Sequence, residues 1–222
     1  MKEQYSQVKD YWDDIFDSGA VKLDFIRKGI PFEAIEKSID WLCQNKGKIL
    51  DFGCGNGTLL LRAVFLSGGS GLGIDLSNRA IKQANEASNK LDLSDKTEFV
   101  TGSIECLNEY DNHSFEGVIL SNIVDNLLPS DGLSLIDTIK KKMKKGGRLF
   151  LKMNDYREKE KMFKAGALEI ADNLFLEAEG IYLWNLTDEA IRKIVEGDFR
   201  IISEKKVELM GTVNRSFHLL KR

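Results

Sequence analysis

Hydrophobic positions recur along the chain with two periods. Val8, Tyr11, Trp12, Ile15 and Phe16 fall at i, i+3, i+4, i+7 and i+8, one face of a helix that Gly19 ends. Phe32, Ile35, Ile39 and Leu42 repeat the spacing after Pro31, a residue suited to a first helical turn, and Gly47 follows. Short apolar strands then alternate with helical stretches. Ile49-Leu50 precedes a helical run through Leu66, and Gly71 to Asp75 precedes a helix that Ser77 caps. Thr97 to Ser103 reads as a third strand, ending near Ser103-Ile104, and Val118 to Leu120 as the fourth. Pro129-Ser130-Asp131 opens a helix with Leu133, Leu135, Ile136 and Ile139 inward, and Arg148 to Met153 reads as the fifth strand. Near the end, Asn173 to Ala178 and Ile181 to Leu186 suggest a hairpin with Tyr182 and Trp184 on one face. Thr187 caps a last helix, and two strands, from Phe199 and from Ser216, meet around Gly211.

Strands alternating with helices predict an α/β fold around a mostly parallel sheet. With 222 residues and no repeat or low-complexity linker, the chain reads as one domain over 1–222. Within it, 1–46 forms a helical cap. Residues 154–186 form a helix-plus-hairpin insert that would lid a substrate pocket or mediate a dimer.

The stretch richest in chemistry is Asp51-Phe-Gly-Cys-Gly-Asn-Gly, where Gly53, Gly55 and Gly57 occupy alternate positions between a strand and a helix. Glycine accepts positive φ and lets a ligand approach the backbone. The helix start then offers unpaired N–H groups. The dinucleotide fingerprint G-x-G-x-x-G would need a third glycine where Thr58 stands. An acid at Asp51 suits an ammonium and repels a pyrophosphate. Asp75, eighteen residues past Gly57 at a strand end, offers two acceptor oxygens to a ribose diol.

This acidic-x-G-x-G-x-G pattern, with Asp75, resembles the class I (Rossmann-like) S-adenosylmethionine-dependent methyltransferases, of the small-molecule branch. The resemblance implies a seven-stranded sheet, mostly parallel with an antiparallel last strand and helices on both faces. It implies S-adenosylmethionine as cofactor, held by Asp51, Gly53, Cys54, Gly55, Gly57 and Asp75. Leu76 and Ile104 would wall the adenine, with Ser103 where relatives carry an acid, and Ser121 would follow the fourth strand. On the substrate side stand Tyr11, Asn122, Asn154 and Trp184. Relatives carry a histidine near Asp125 and Asn126 that is missing here, which leaves Asp125, Asp155 and Tyr156 as candidate bases or orienters. The N/D-P-P-Y/F motif of nucleic-acid base methylases is absent. The implied function is methyl transfer to a small acceptor. The alternatives are a non-catalytic S-adenosylmethionine-binding or regulatory subunit and an NAD-dependent oxidoreductase.

Bulk properties narrow this further. Thirty-two basic and 35 acidic residues are mixed along the chain, giving a net charge of −3, which disfavours broad nucleic-acid binding. The lysine cluster Lys140, Lys141, Lys142, Lys144 and Lys145 suits a helix C-terminus. Three cysteines without C-x-x-C spacing predict neither disulfides nor zinc, and a cytoplasmic setting. No metal site is expected. No run approaches the roughly 18 apolar residues of a membrane span, and the N-terminus carries no apolar signal. The expected state is a monomer or homodimer.

Overall fold

A computed structural model describes residues 3–17, 19–209 and 211–222. The strands β1 (Lys48–Phe52), β2 (Ser70–Asp75), β3 (Thr97–Thr101), β4 (Phe115–Ser121) and β5 (Met143–Asn154) are mutually parallel. The last two strands of the chain, Phe199–Leu209 and Thr212–Lys221, complete a seven-stranded sheet. Numbered in chain order after the three short strands of the insert, β6 (Leu168–Ala171), β7 (Leu174–Leu176) and β8 (Tyr182–Trp184), they are β9 and β10. The sheet order is β3-β2-β1-β4-β5-β10-β9, with β10 antiparallel to both neighbours. The strand order therefore reverses between β1 and β4. In open α/β sheets such a switch point opens a crevice at the carboxyl ends of the strands.

Both faces of the sheet are covered, so its strands read as continuous apolar runs. On β5, Leu149, Leu151 and Met153 join one core, and Phe150 between them joins the other. The first core takes Leu135, Ile136 and Ile139 from α6 (Pro129–Lys142) and Ile191 and Val195 from α8 (Asp188–Val195). The second takes its helices from α2 (Leu23–Lys28), α3 (Glu33–Cys43), α4 (Thr58–Ser67) and α5 (Asn78–Lys90). The side chains of Ser77 and Thr187 cap α5 and α8 as expected, accepting from the amides of Ala80 and Ala190 at 3.0 and 3.2 Å.

The structure departs from the pattern in several places. The helix α2 was not anticipated, because six residues are too few to show a 3.6 period. The helix α1 (Ser6–Ile15) turns a narrower face inward than expected, leaving Ile15 49% exposed. Strand β5 begins at Met143, five residues before Arg148, so Lys144 and Lys145 lie on the strand. Lys144 pairs with Glu116, Lys142 donates to the Tyr110 carbonyl and Lys140 meets Asp137 and Asp198, so three of the cluster's cations are engaged within the chain. The insert holds α7 (Lys159–Lys164) and three strands, the expected hairpin gaining β6 at its edge.

At the end of β1 the backbone takes positive φ at Gly53 (74°), Gly55 (52°) and Gly57 (75°). A Cβ at Gly57 would lie 2.8 Å from the Phe99 ring and 3.0 Å from the Ala84 Cβ. Gly57→Ala is expected to cost roughly 1–3 kcal/mol, from the left-handed conformation together with this crowding. Urea unfolding of the two proteins measures it; equal midpoints and slopes would contradict the packing role.

Candidate functional site

The site grows from the ends of β1 and β2. Asp51 is the fourth residue of β1 and only 1% exposed. Its Oδ1 is buried without a hydrogen-bond partner among the described residues. The chain then folds back on β2, where the amides of Gly53 and Cys54 both donate to the Ile74 carbonyl, at 2.8 and 3.1 Å. Asp75, at the end of β2, binds the turn from its other side. One carboxylate oxygen accepts from the Gly55 amide at 2.8 Å and the other from the Ser77 amide at 2.9 Å. A single acid thus ties the glycine turn to the start of α5, and each of its oxygens retains a second lone pair.

A carboxylate held out of water beside a second one gains proton affinity. Burial pushes Asp51 up to about 8, with the neighbouring Asp75 adding to the rise and a backbone hydrogen bond from Leu60 opposing it. Burial also raises Asp75, against its hydrogen bonds from Ser77 and Gly55. Burial and the two acids push the Cys54 thiol well up, so it is an inert wall rather than a nucleophile.

Above this floor lies a cavity of about 550 Å³. Asp51, Gly53, Cys54, Gly55, Asp75, Leu76, Ser103, Ile104, Ser121 and Asn122 all line it. Its roof is Tyr5, Val8, Trp12 and Phe16 of the N-terminal segment. Val8, Trp12 and Phe16 are spaced by four, which is the inward face that α1 presents. Tyr5 fixes this roof by donating to Asp131 at 2.8 Å and accepting from the Leu128 amide at 3.1 Å. At the other end, Gln83 donates to the Phe16 carbonyl and the Ser77 hydroxyl to Asp13.

Other expected residues lie elsewhere. Gly57 does not line the cavity; it packs against Phe99 and Ala84 and lets α4 start close to the sheet. Tyr11 meets Trp12 edge-on, 5.2 Å between centroids, from outside. Asp125 is buried, accepting from the backbone and side-chain amides of Asn154 at 2.7 and 2.9 Å. Asp155 receives Lys206 at 3.0 Å, and Tyr156 donates its amide to Asp155. Trp184 lies over Gly132 of α6. None of these six, nor Asn154, lines the cavity, and the insert contributes no lining residue. Residues that sequence reasoning passed over do line it: Phe16, Glu105 and Asn108. The signal for Phe16 was its place one helical repeat after Trp12. Glu105 stands two residues past Ser103, whose hydroxyl it receives, where a search for an acid at the strand end stops too early.

A second cavity, about 350 Å³, shares Asn56, Thr58, Leu59 and Ser121 with the first. Among the described residues, no group of three or more His, Cys, Asp or Glu side chains could hold a metal. No helix of the structure is long and apolar enough to cross a membrane.

Residues 44–197 match the model of a family described as a methyltransferase domain. The chain belongs to that family. It carries a methyltransferase domain, and its fold is the class I fold. Among curated proteins, this methyltransferase is 29% identical over 116 residues to the ribosomal protein L11 methyltransferase of Chromobacterium violaceum, covering 51% of the chain and 35% of the relative. It is 28% identical over 115 residues to the Neisseria gonorrhoeae protein of the same name, covering 52% of the chain and 35% of the relative. The chain thus spans about a third of the length of these relatives. In fold, the methyltransferase is similar to a Pyrococcus horikoshii protein, with a TM-score of 0.74 at 15% identity, covering 94% of this chain and 99% of that one. It is also similar to the magnesium protoporphyrin IX methyltransferase of Synechocystis, solved with S-adenosylhomocysteine, with a TM-score of 0.67 at 19% identity, covering 98% and 95%.

The residues fit the cofactor on two observations: a buried acid with an unpartnered oxygen, and a glycine turn that β-carbons would crowd. A Cβ at Gly53 would meet Ile123 at 3.0 Å and one at Gly55 would meet Phe16 at 2.9 Å. The unpartnered acid is also a stability liability of this methyltransferase. Because folding raises the pKa of Asp51, the folded protein keeps a proton that the unfolded chain loses above about pH 4. Stability from this group therefore falls as pH rises from about 4 through 8. Asp51→Asn is expected to stabilise the ligand-free protein at pH 8.5 by roughly 1–3 kcal/mol, the gain shrinking toward pH 4. Denaturant unfolding across that range reads it, and a variant less stable at every pH contradicts the liability.

Proposed function

We propose that this methyltransferase acts on a small molecule bound beside the cofactor cavity, and that the residues lining the cavity divide the cofactor among them. Asp51 takes the ammonium of the methionyl end, directly or through water. Gly53 and Gly55 let that end lie against the backbone. Asp75 accepts from the ribose hydroxyls with its free lone pairs. Leu76 and Ile104 flank the adenine, with Ser103, Glu105 and Asn108 as the polar groups at that end. The observation that carries the reading is the unpartnered, buried Asp51 Oδ1 beneath the glycine turn. A cationic group relieves that site, whereas the pyrophosphate of a dinucleotide would aggravate it.

When bound, S-adenosylmethionine supplies an electrophilic methyl carbon on its sulfonium, so the chemistry rests with the cofactor. The chain's own work is to position, orient and exclude water. Positioning alone removes on the order of 7–11 kcal/mol of barrier, which explains a site without an acid–base pair. The carboxylates near the strand ends are already engaged. Asp125 holds Asn154, and Asp155 faces Lys206 and Arg215. We assign them positioning rather than proton transfer.

The small-molecule assignment is supported by the second cavity, which adjoins the first and lies under α2 and α3. Fold neighbours named for a small-molecule substrate include the magnesium protoporphyrin IX methyltransferase, at 19% identity. The curated relatives act, by name, on a ribosomal protein, and the match to them covers only about half of this chain.

Calorimetry with S-adenosylmethionine, S-adenosylhomocysteine and NAD tests the reading. The two sulfur nucleosides are expected to bind and NAD is not. An NAD-only result would end it, and binding without turnover on a panel of small acceptors would favour a regulatory subunit. Asp75→Ala is expected to weaken S-adenosylhomocysteine binding by roughly 1.5–3 kcal/mol. Because an ammonium lowers the raised pKa of Asp51, binding at pH 7 should release a proton. Affinity should climb between pH 6 and 8, by up to about tenfold per unit. The heat of binding at pH 7 in buffers of different ionisation enthalpy measures that proton, and heats that do not change with the buffer would remove Asp51 from the ammonium site.

A further inference from the structure

The second cavity has a charge pattern opposite to the first. Its walls are apolar: Phe25 and Ile30 from α2 and the turn after it, Phe32 and Ile35 from the start of α3, and Leu209 at the end of β9. Two of its twelve lining residues are lysines, Lys22 and Lys152, and none is acidic. Lys22 is an exposed rim residue whose ammonium lies 5.1 Å from the centre of the Phe25 ring. Lys152 lies deeper, on β5, two residues past Phe150 and in register with Ser121 of β4. Alternation along the strand places it on the Phe150 side of the sheet, beneath α2 and α3.

The surroundings of that ammonium are incomplete. It donates to the amide oxygens of Asn122 and Asn214, the latter at 3.4 Å, and has no carboxylate at ion-pair distance among the described residues. Asn122 is held there in a left-handed conformation (φ 55°), its own amide donating to the Lys152 carbonyl at 2.7 Å. Among the described residues the carboxylate acting on it is that of Asp125, which accepts its hydrogen bonds from Asn154. Burial therefore holds Lys152 below the usual lysine range, at about 8, so at neutral pH it is a charged group short of a counter-charge. A buried cation costs least when an anion completes it.

We infer that this second cavity is the acceptor chamber, and that it takes a small, largely apolar molecule carrying an anionic oxygen group, received by the Lys152 ammonium. This rests on the methyltransferase reading above and adds the substrate class. The apolar walls bind the body of the molecule, Lys152 fixes its oxygen end, and the shared wall at Ser121 and Thr58 sets that end beside the cofactor cavity. A neutral molecule of the same shape would leave the ammonium uncompensated, so the chamber discriminates by charge.

The test uses 2-naphthoate and its uncharged isostere 2-naphthamide as probes, with the full chain and saturating S-adenosylhomocysteine, read by ligand-observed NMR and calorimetry. The expected result is at least tenfold tighter binding of naphthoate. Lys152→Met should abolish that preference to within twofold while leaving S-adenosylhomocysteine affinity within twofold. Lys152→Arg should retain it. Phe32→Trp, which fills the chamber without touching its charge, should weaken both probes together and spare S-adenosylhomocysteine. Equal affinity for the two probes in the wild type, a naphthoate preference that survives Lys152→Met, or undiminished affinity for both probes in Phe32→Trp, overturns the inference. If S-adenosylhomocysteine binds and the preference is absent, the chamber assignment alone is wrong. If S-adenosylhomocysteine does not bind, the cofactor reading fails and the assignment falls with it.

Discussion

Two carboxylates at neighbouring strand ends, Asp51 held out of water and Asp75 half-buried, set the terms for everything around them. Asp75 is compensated from within, by two backbone amides, and that compensation folds the glycine turn onto the start of α5. Asp51 is not, for one of its oxygens has no partner. A sheet with both faces buried is what allows such an arrangement. The large cores above and below β1 supply the stability that an unsatisfied acid removes. The strain in the site is thus carried by the packing, and a ligand bearing positive charge finds an acid that solvent has not already neutralised.

Local constraints made this part of the molecule legible in the sequence. A turn with φ near +74°, +52° and +75° at alternate residues admits only glycine without strain, so three glycines after an acid announce both the turn and the absence of side chains above it. The caps at Ser77 and Thr187 were legible for the same reason, since each is satisfied within three residues of itself. The mostly parallel sheet was legible in the alternation of strands and helices, and the antiparallel last strand through the resemblance carried by the glycine turn and Asp75.

What the sequence hid was set by contacts made across it. Gly57 has the spacing of a ligand-facing residue, yet its neighbours are Phe99 and Ala84, from later parts of the chain. Lys152 sits in Leu-Lys-Met, where alternation alone would place a lysine toward solvent. Only the arrival of β10 beside β5, with Asn214 next to its amine, and of α2 over that face puts it inside. Asp125 and Asp155 looked like bases because carboxylates at strand ends in this architecture often face the ligand. Here the antiparallel β10 brings Arg215 to the Asn154 carbonyl, at 2.9 and 2.7 Å, and that corner consumes the acids nearby. Ile15 failed for a simpler reason. A helix that roofs a cavity buries a stripe one residue wide, narrower than the stripe of a helix packed on a sheet.

Taken together, the two cavities form a polarised pair. One has acids for its floor and the other has lysines and no acid, and they meet at Asn56, Thr58, Leu59 and Ser121. In a poorly solvated site, the sign of a ligand's charge counts for more than it does in water. A cation is therefore stabilised over Asp51 and opposed near Lys152, and an anion the reverse. Neither chamber suits the other's occupant, so orientation across the shared wall follows from electrostatics before shape is considered. The same polarity explains why the apolar walls of the second cavity can remain unspecific. The aliphatic and aromatic side chains recognise bulk, and the half-buried Lys152 ammonium supplies the direction.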